Sequence, residues 1–220
     1  MTASCSAPES PSTVKAVENE RVYSVLTVVF CCALIVSNVL AAKTLDLAIF
    51  TLPASILTFP VVYIVNDILS DVFGFARARR AIGMGFIAIT VAAVMYQIAI
   101  ALPGFDPAMN DAFAATLGSS LRILLASLIS YLCGSLLNSL VMTRLKRRFD
   151  KQLFMRCIVS TGLGETVDSL IFITVAFAGT FDASVIVTMI ASQAFLKTAY
   201  EVVAYPVTKV VIAAVRRKVL

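Results

Sequence analysis

The sequence contains no histidine and little charge: 13 acidic and 18 basic residues in 220, 14% together, against roughly a quarter in soluble domains. Without histidine, any proton relay has to run through carboxylates, tyrosines or water. The five cysteines (Cys5, Cys31, Cys32, Cys133 and Cys157) show no C-x-x-C spacing. The clustered ligands of a zinc site are therefore missing, and no metal or cofactor site is expected. There is no Ser/His pair and no Gly-x-Gly-Asp motif of the kind intramembrane aspartyl proteases carry, so an enzyme is not expected.

What is present is apolar. The chain is 60% hydrophobic with a mean hydropathy of +0.94. Runs of spanning length recur along nearly all of it, which predicts one all-α integral membrane domain over 21–220. The net charge of +5 sits in short loops between apolar runs. Orientation signals and contacts to anionic lipid explain such charges, and nucleic acid is not an expected partner. Residues 1–20 are polar and rich in Ser and Pro, and read as a disordered cytoplasmic tail. They lack the basic stretch that opens a signal peptide, so the apolar run that follows reads as a retained helix.

Six spans can be drawn, at about 22–42, 48–72, 81–102, 119–143, 157–179 and 184–215. Loop charge tests the count independently. Arg77, Arg79 and Arg80 follow span two, Arg144 to Arg156 separate spans four and five, and Arg216, Arg217 and Lys218 follow span six. The opposing loops hold Lys43 alone, with none in 103–118 or 180–183. Positive loops face the cytoplasm, which predicts six transmembrane helices with both termini cytoplasmic. Pro206 is expected to break or kink the long sixth span, whose C-terminal part would lie along the interface. No inverted repeat of three plus three helices is visible.

Five acidic residues fall inside these spans: Asp67, Asp71, Glu165, Asp168 and Glu201. A carboxylate in hydrocarbon costs ~2.5–3.5 kcal/mol on insertion scales, so five argue for a polar cavity that binds or moves something. In span two, Phe59, Tyr63, Asp67 and Asp71 recur at i+4 on one helix face, with Asn66 and Ser70 beside them. The bland alternative has Asp67 and Asp71 capping or neutralising the Arg77–Arg80 cluster, a reading that suits Asp71 better than the deeper Asp67. Glu165 and Asp168 are i,i+3 neighbours in span five with Thr161 on the same side. Gly162 and Gly164 there permit close approach of a helix or ligand. The alternative for this pair is ionic pairing with a basic residue on another helix. Span six holds Gln193, Lys197, Tyr200 and Glu201. Lys197 either neutralises Glu201 at i+4 or pairs across the bundle with Glu165 or Asp168. Asn38, Ser37 and Asn138 read mainly as interhelical packing, and Arg122 as a snorkelling side chain. A flat ligand bearing adjacent N–H donors suits carboxylates beside aromatic rings such as Tyr63 and Phe172. A guanine-like edge has that geometry, as do other cyclic amines and amides.

Several segments together resemble the queuosine precursor transporters, also called the vitamin uptake transporter family. They are Ser37-Asn38, Phe59-Pro60, Asn66-Asp67, Phe73-Gly74 and Ala78-Arg79-Arg80. Gly164-Glu165, Asp168-Ser169, Ala176-Phe177, Lys197, Glu201 and Pro206 complete the set, which covers about 22–215. The resemblance implies a multi-pass protein of the bacterial inner membrane that imports 7-cyano-7-deazaguanine or 7-aminomethyl-7-deazaguanine by alternating access. It points to Asp67, Glu165, Asp168, Lys197 and Glu201 as substrate-binding positions, and Tyr63, Asn66, Asn38 and Tyr200 join them from the helix-face reading. Asp71 departs from the glutamate or arginine of many members. The expected partners are the small-molecule substrate and the lipid bilayer, with a homo-oligomer as a further expectation. A rival reading is a substrate-capture subunit that needs an energy-coupling ATPase module. Ala88 and Ala92 in span three have the small-residue spacing of such a docking face.

Overall fold

The structure, a computed structural model, describes residues 11–46, 51–118, 121–179 and 181–219. Helix α1 (Pro11–Leu40) opens on a proline, whose missing N–H costs nothing at a first helical position. Strands β1 (Thr44–Asp46) and β2 (Thr51–Pro53) pair antiparallel with Thr44 opposite Pro53. A 3-10 turn (Ala54–Leu57) leads into α2 (Phe59–Ile68), which carries Pro60 in its first turn and continues as a π-helical turn (Leu69–Phe73). The remaining helices are α3 (Phe75–Ala101), α4 (Pro107–Leu117), α5 (Leu121–Arg148), α6 (Leu153–Phe177) and α7 (Ala183–Val219).

Among the described residues five stretches are long and apolar enough to cross a membrane: Lys15–Leu40, Phe75–Ala101, Pro107–Arg148, Leu153–Phe177 and Ala183–Val219. They present Val28 and Val36, Ile87 and Val91, and Val203 and Val210 outward, where lipid rather than protein would cover them. Helices α1, α2, α3 and α5 share a core of Phe30, Leu34, Val65, Leu69, Ile82 and Leu128.

The second expected span is corrected in kind. It is a composite of 3-10, α and π turns, and its expected start at 48 lies outside the described residues. Pro60 supplies no N–H, so the regular ladder begins there, and at the far end Lys146 takes the Asp71 carbonyl oxygen where the π turn widens it. Gly74 then turns the chain into α3 at φ +80°, a conformation side chains resist. Residues 103–118, expected as a loop, carry α4, whose start is capped by Asp106 Oδ1 accepting from the Ala108 N–H at 2.9 Å. Of the expected disordered tail, 1–10 lie outside the described residues, while 11–20 are helical. Arg77 ties them down through Asn19 Oδ1 at 3.0 Å and Glu20. Helix α7 runs unbroken past Pro206.

Helices α5 and α6 approach until only hydrogen atoms fit between them. A methyl group at Gly134 would sit 2.8 Å from Asp168 Cβ, and one at Gly164 would sit 2.8 Å from Asn138 Cβ. Each would also lie 2.9 Å from the other glycine's carbonyl oxygen. Overpacking of this kind typically costs ~1–3 kcal/mol. Gly164→Ala should lower unfolding stability in detergent by about that amount. An unchanged melting temperature would mean the helices do not meet so closely.

Candidate functional site

Four-residue steps carry one helix face along the axis by ~6 Å each, so residues at that spacing on α2, α6 and α7 form ladders. On α2 and the π turn that continues it the rungs are Tyr63, Asp67 and Asp71. On α6 they are Glu165, Thr161 and Cys157, and on α7 Gln193, Lys197 and Glu201. Packed together, the three ladders build three polar layers.

The first layer faces a cavity of about 470 Å³. At its wall the Lys197 ammonium bridges two carboxylates, 2.7 Å from Glu165 Oε2 and 2.6 Å from Asp168 Oδ2. The Tyr63 hydroxyl donates to Glu165. Lys197 thus takes the cross-bundle partners rather than Glu201. One cation against two carboxylates leaves the wall formally one charge negative, which suits a ligand rich in hydrogen-bond donors. Gln193 stands one turn before Lys197, and its Oε1 is buried with no hydrogen-bond partner. Phe172 and Tyr131 supply ring surface, while Asn38, Ser127 and Ser130 add neutral polar groups. The cavity extends past Ala41, Ala42, Thr116 and Ile123 toward the end of the bundle that carries the hairpin and α4.

The second layer lies on the opposite side of that wall. Asp67, Cys157 and Glu201 are 0% exposed, with one oxygen of each carboxylate and the Cys157 sulfur all within 4.8 Å of one another. The third layer is ionic. Asp71 receives Arg156 Nη1 at 2.7 Å on one carboxylate oxygen and Arg216 Nη2 at 2.6 Å on the other. Lys146 stands 3.8 Å away. The expected pairing of Asp71 with Arg77–Arg80 is therefore corrected. The Gly74 turn carries Arg77 off toward α1, and the cations that reach Asp71 come from α5, α6 and α7.

Of the nine expected binding residues, the cavity brings together Asn38, Tyr63, Glu165, Asp168 and Lys197. Asp67 and Glu201 sit in the layer behind it. Asn66 is committed to packing, accepting from Ser139 Oγ at 3.2 Å. Tyr200 is half-buried and stands outside the cavity lining. Arg122, exposed at the start of α5, donates to the Val175 and Ala178 carbonyl oxygens at 2.6 and 2.5 Å, capping the end of α6. Sequence reasoning left out Gln193 and Tyr131 as cavity residues. The i+4 spacing of Gln193 to Lys197 was a readable signal, whereas nothing local marks Tyr131.

A family model described as "Putative vitamin uptake transporter" matches residues 53–211. A protein of Bacillus subtilis (strain 168) named "Probable queuosine precursor transporter" is 28% identical over 181 residues, covering 79% of this chain and 77% of its own length. No solved structure matches significantly. Apolar helices of spanning length, a polar cavity between them and a family match over most of the chain converge on one class: this chain belongs to the vitamin uptake transporter family and is a multi-pass membrane transporter, not an enzyme.

Proposed function

We propose that the protein is a carrier of the bacterial inner membrane that imports queuosine precursors, 7-cyano-7-deazaguanine or 7-aminomethyl-7-deazaguanine, by alternating access. The observation that carries this reading is the Lys197-bridged carboxylate pair at the wall of a cavity about 470 Å³ in size. Small-molecule sites typically measure ~300–1,000 Å³. The ring N–H and exocyclic amine of the 7-deazaguanine would donate to Glu165 or Asp168, with Phe172 against the flat face and Gln193 accepting a further N–H. The printed name of the Bacillus subtilis relative supports the substrate class.

Six crossings accommodate this reading, with the composite segment 54–73 as the second. At ~1.5 Å per residue it reaches about 30 Å, the thickness of a hydrocarbon core. Helix α4, 11 residues long, is too short to cross and would rest at the outer surface. Both termini are then cytoplasmic, because the arginine-bearing helix ends meet at the end away from the cavity mouth. The structure would correspond to an outward-facing form whose cytoplasmic end is closed by the Asp71 layer.

Glu165→Gln should weaken binding of 7-cyano-7-deazaguanine in detergent by roughly 10- to 100-fold, from the ~1.5–3 kcal/mol carried by hydrogen bonds to a charged group. Unchanged affinity would remove Glu165 from the site. Uptake by proteoliposomes holding this chain alone would establish a carrier that needs no ATPase subunit. Binding without uptake would point to the capture-subunit reading instead.

A further inference from the structure

The transport site uses the first layer, and Asp71 has its own cations. The second layer remains: two buried carboxylates, Asp67 and Glu201, face each other from α2 and α7. All four of their oxygens are buried away from any nitrogen or oxygen donor, and the Cys157 thiol donates to Asp67. Thr161 Oγ1, on the α6 stripe between Cys157 and Glu165, is buried and unpartnered. The Cys157 thiol completes the enclosure.

Other ionisable groups do not resolve both charges. Asp67 feels Asp71 and Arg156, and Arg156, which gives Nη1 to Asp71 and has Nε and Nη2 buried without a partner, can offset one carboxylate of the pair at most. Glu201 feels Glu165, itself held by Lys197. Tyr63 of α2 faces both Glu165 and Glu201. Lys146 of α5 and Arg216 of α7 reach only as far as Asp71. Two ionised carboxylates this close, shut away from water, repel each other and each lose their hydration. A positive charge has to enter with them. A sodium ion would need Thr161 Oγ1 and both oxygens of each carboxylate turned onto it, and the gradient measurement below separates the two cations. A single proton asks only for the carboxylates.

We propose that Asp67 and Glu201 form a proton-binding site that couples substrate movement to the proton gradient, one proton per substrate. This rests on the transport reading above. The proton enters from cavity water by way of Glu165, which borders Glu201 on one side and the cavity on the other. When substrate donors occupy Glu165 or Asp168, Lys197 is loosened from them, and Glu201 lies one turn away on the same face of α7. The ammonium then neutralises Glu201. The carboxyl O–H bond breaks, its proton passes to water on the cytoplasmic side, and Lys197 stays protonated throughout.

Two measurements test the proposal and separate it from the substrate assignment. In proteoliposomes a pH gradient of about one unit, acid outside, should drive up to about tenfold accumulation of 7-cyano-7-deazaguanine, and a sodium gradient none. In Asp67→Asn and in Glu201→Gln the ratio of uptake with and without the gradient should fall to unity. An intact ratio in both variants, or accumulation driven by sodium, overturns the proposal. Infrared spectroscopy of the purified protein needs no substrate. It should show a protonated-carboxyl C=O stretch at neutral pH that is lost in at least one of those variants and kept in Glu165→Gln. Absence of that band overturns the proton site even where the substrate binds. Its presence, with no binding or uptake of the compound, supports the proton site and sinks the substrate assignment.

Discussion

Asp71→Ala is expected to be among the most destabilising single substitutions in this protein, at ~3–5 kcal/mol of unfolding free energy in detergent. The reason lies in its partner more than in the aspartate. The Arg156 and Asp71 side chains are both 0% exposed, and they meet at 2.7 Å. Removing the carboxylate leaves a guanidinium with no water and without the carboxylate it is hydrogen-bonded to. Arg216 contacts the same carboxylate but is 32% exposed and can turn to solvent. Arg216→Ala should therefore cost far less, within the ~0–1 kcal/mol usual for exposed pairs. Asp71→Leu combined with Arg156→Met should recover most of the loss, since two apolar side chains leave no orphaned charge. Thermal unfolding of the three variants tests this ordering. If Asp71→Ala and Arg216→Ala cost the same, Arg156 is not the buried partner assigned here.

Lys197→Met should abolish uptake and also cost ~3–5 kcal/mol of stability. The Lys197, Glu165 and Asp168 side chains are only 14%, 11% and 18% exposed. One ammonium serves two carboxylates, so its loss leaves both uncompensated on adjacent turns of α6. Adding Glu165→Gln to Lys197→Met should restore stability, because one of the two charges is then gone, without restoring uptake. That split between folding and transport distinguishes a working lysine from a purely structural one. Arginine is a poor replacement, since a planar fork cannot sit between two carboxylates as a compact ammonium does. The idea fails if Lys197→Met melts at the native temperature and transports normally.

Much of this architecture was legible from local pattern. Apolar run length and the alternation of loop charge predicted a helical membrane protein, because hydrocarbon imposes helix on any spanning backbone regardless of the contacts made later. The i+4 ladders singled out Tyr63, Asp67, Glu165, Lys197 and Glu201, since helical spacing alone puts such residues on one face. Gly164 was marked for close approach, and the contact with Gly134 is the reason. The family resemblance, carried by the same positions, agrees with the match over 53–211.

Other features were not written locally. The π turn at Leu69–Phe73 gives its Asp71 carbonyl oxygen to Lys146, whose side chain arrives from a helix 75 positions away in sequence. Helix α4 was passed over because its exposed sequence carries no spanning signal, although Asp106-Pro107 was a readable start.

The sequence by itself determined that this chain lives in a membrane and which side chains share each helix face, because both follow from hydropathy and helical period. Only the tertiary structure decided how those faces are distributed among layers. Glu165 and Asp168 meet Lys197 at a cavity, Asp67 meets Glu201 behind it, and Asp71 meets Arg156 at the basic end. Helical period sets the height of a charge on its own helix but not its neighbour across the bundle. That neighbour is chosen by packing, and in a low-dielectric interior the choice decides whether a carboxylate is paired with a cation, faces a cavity or is enclosed with a second acid.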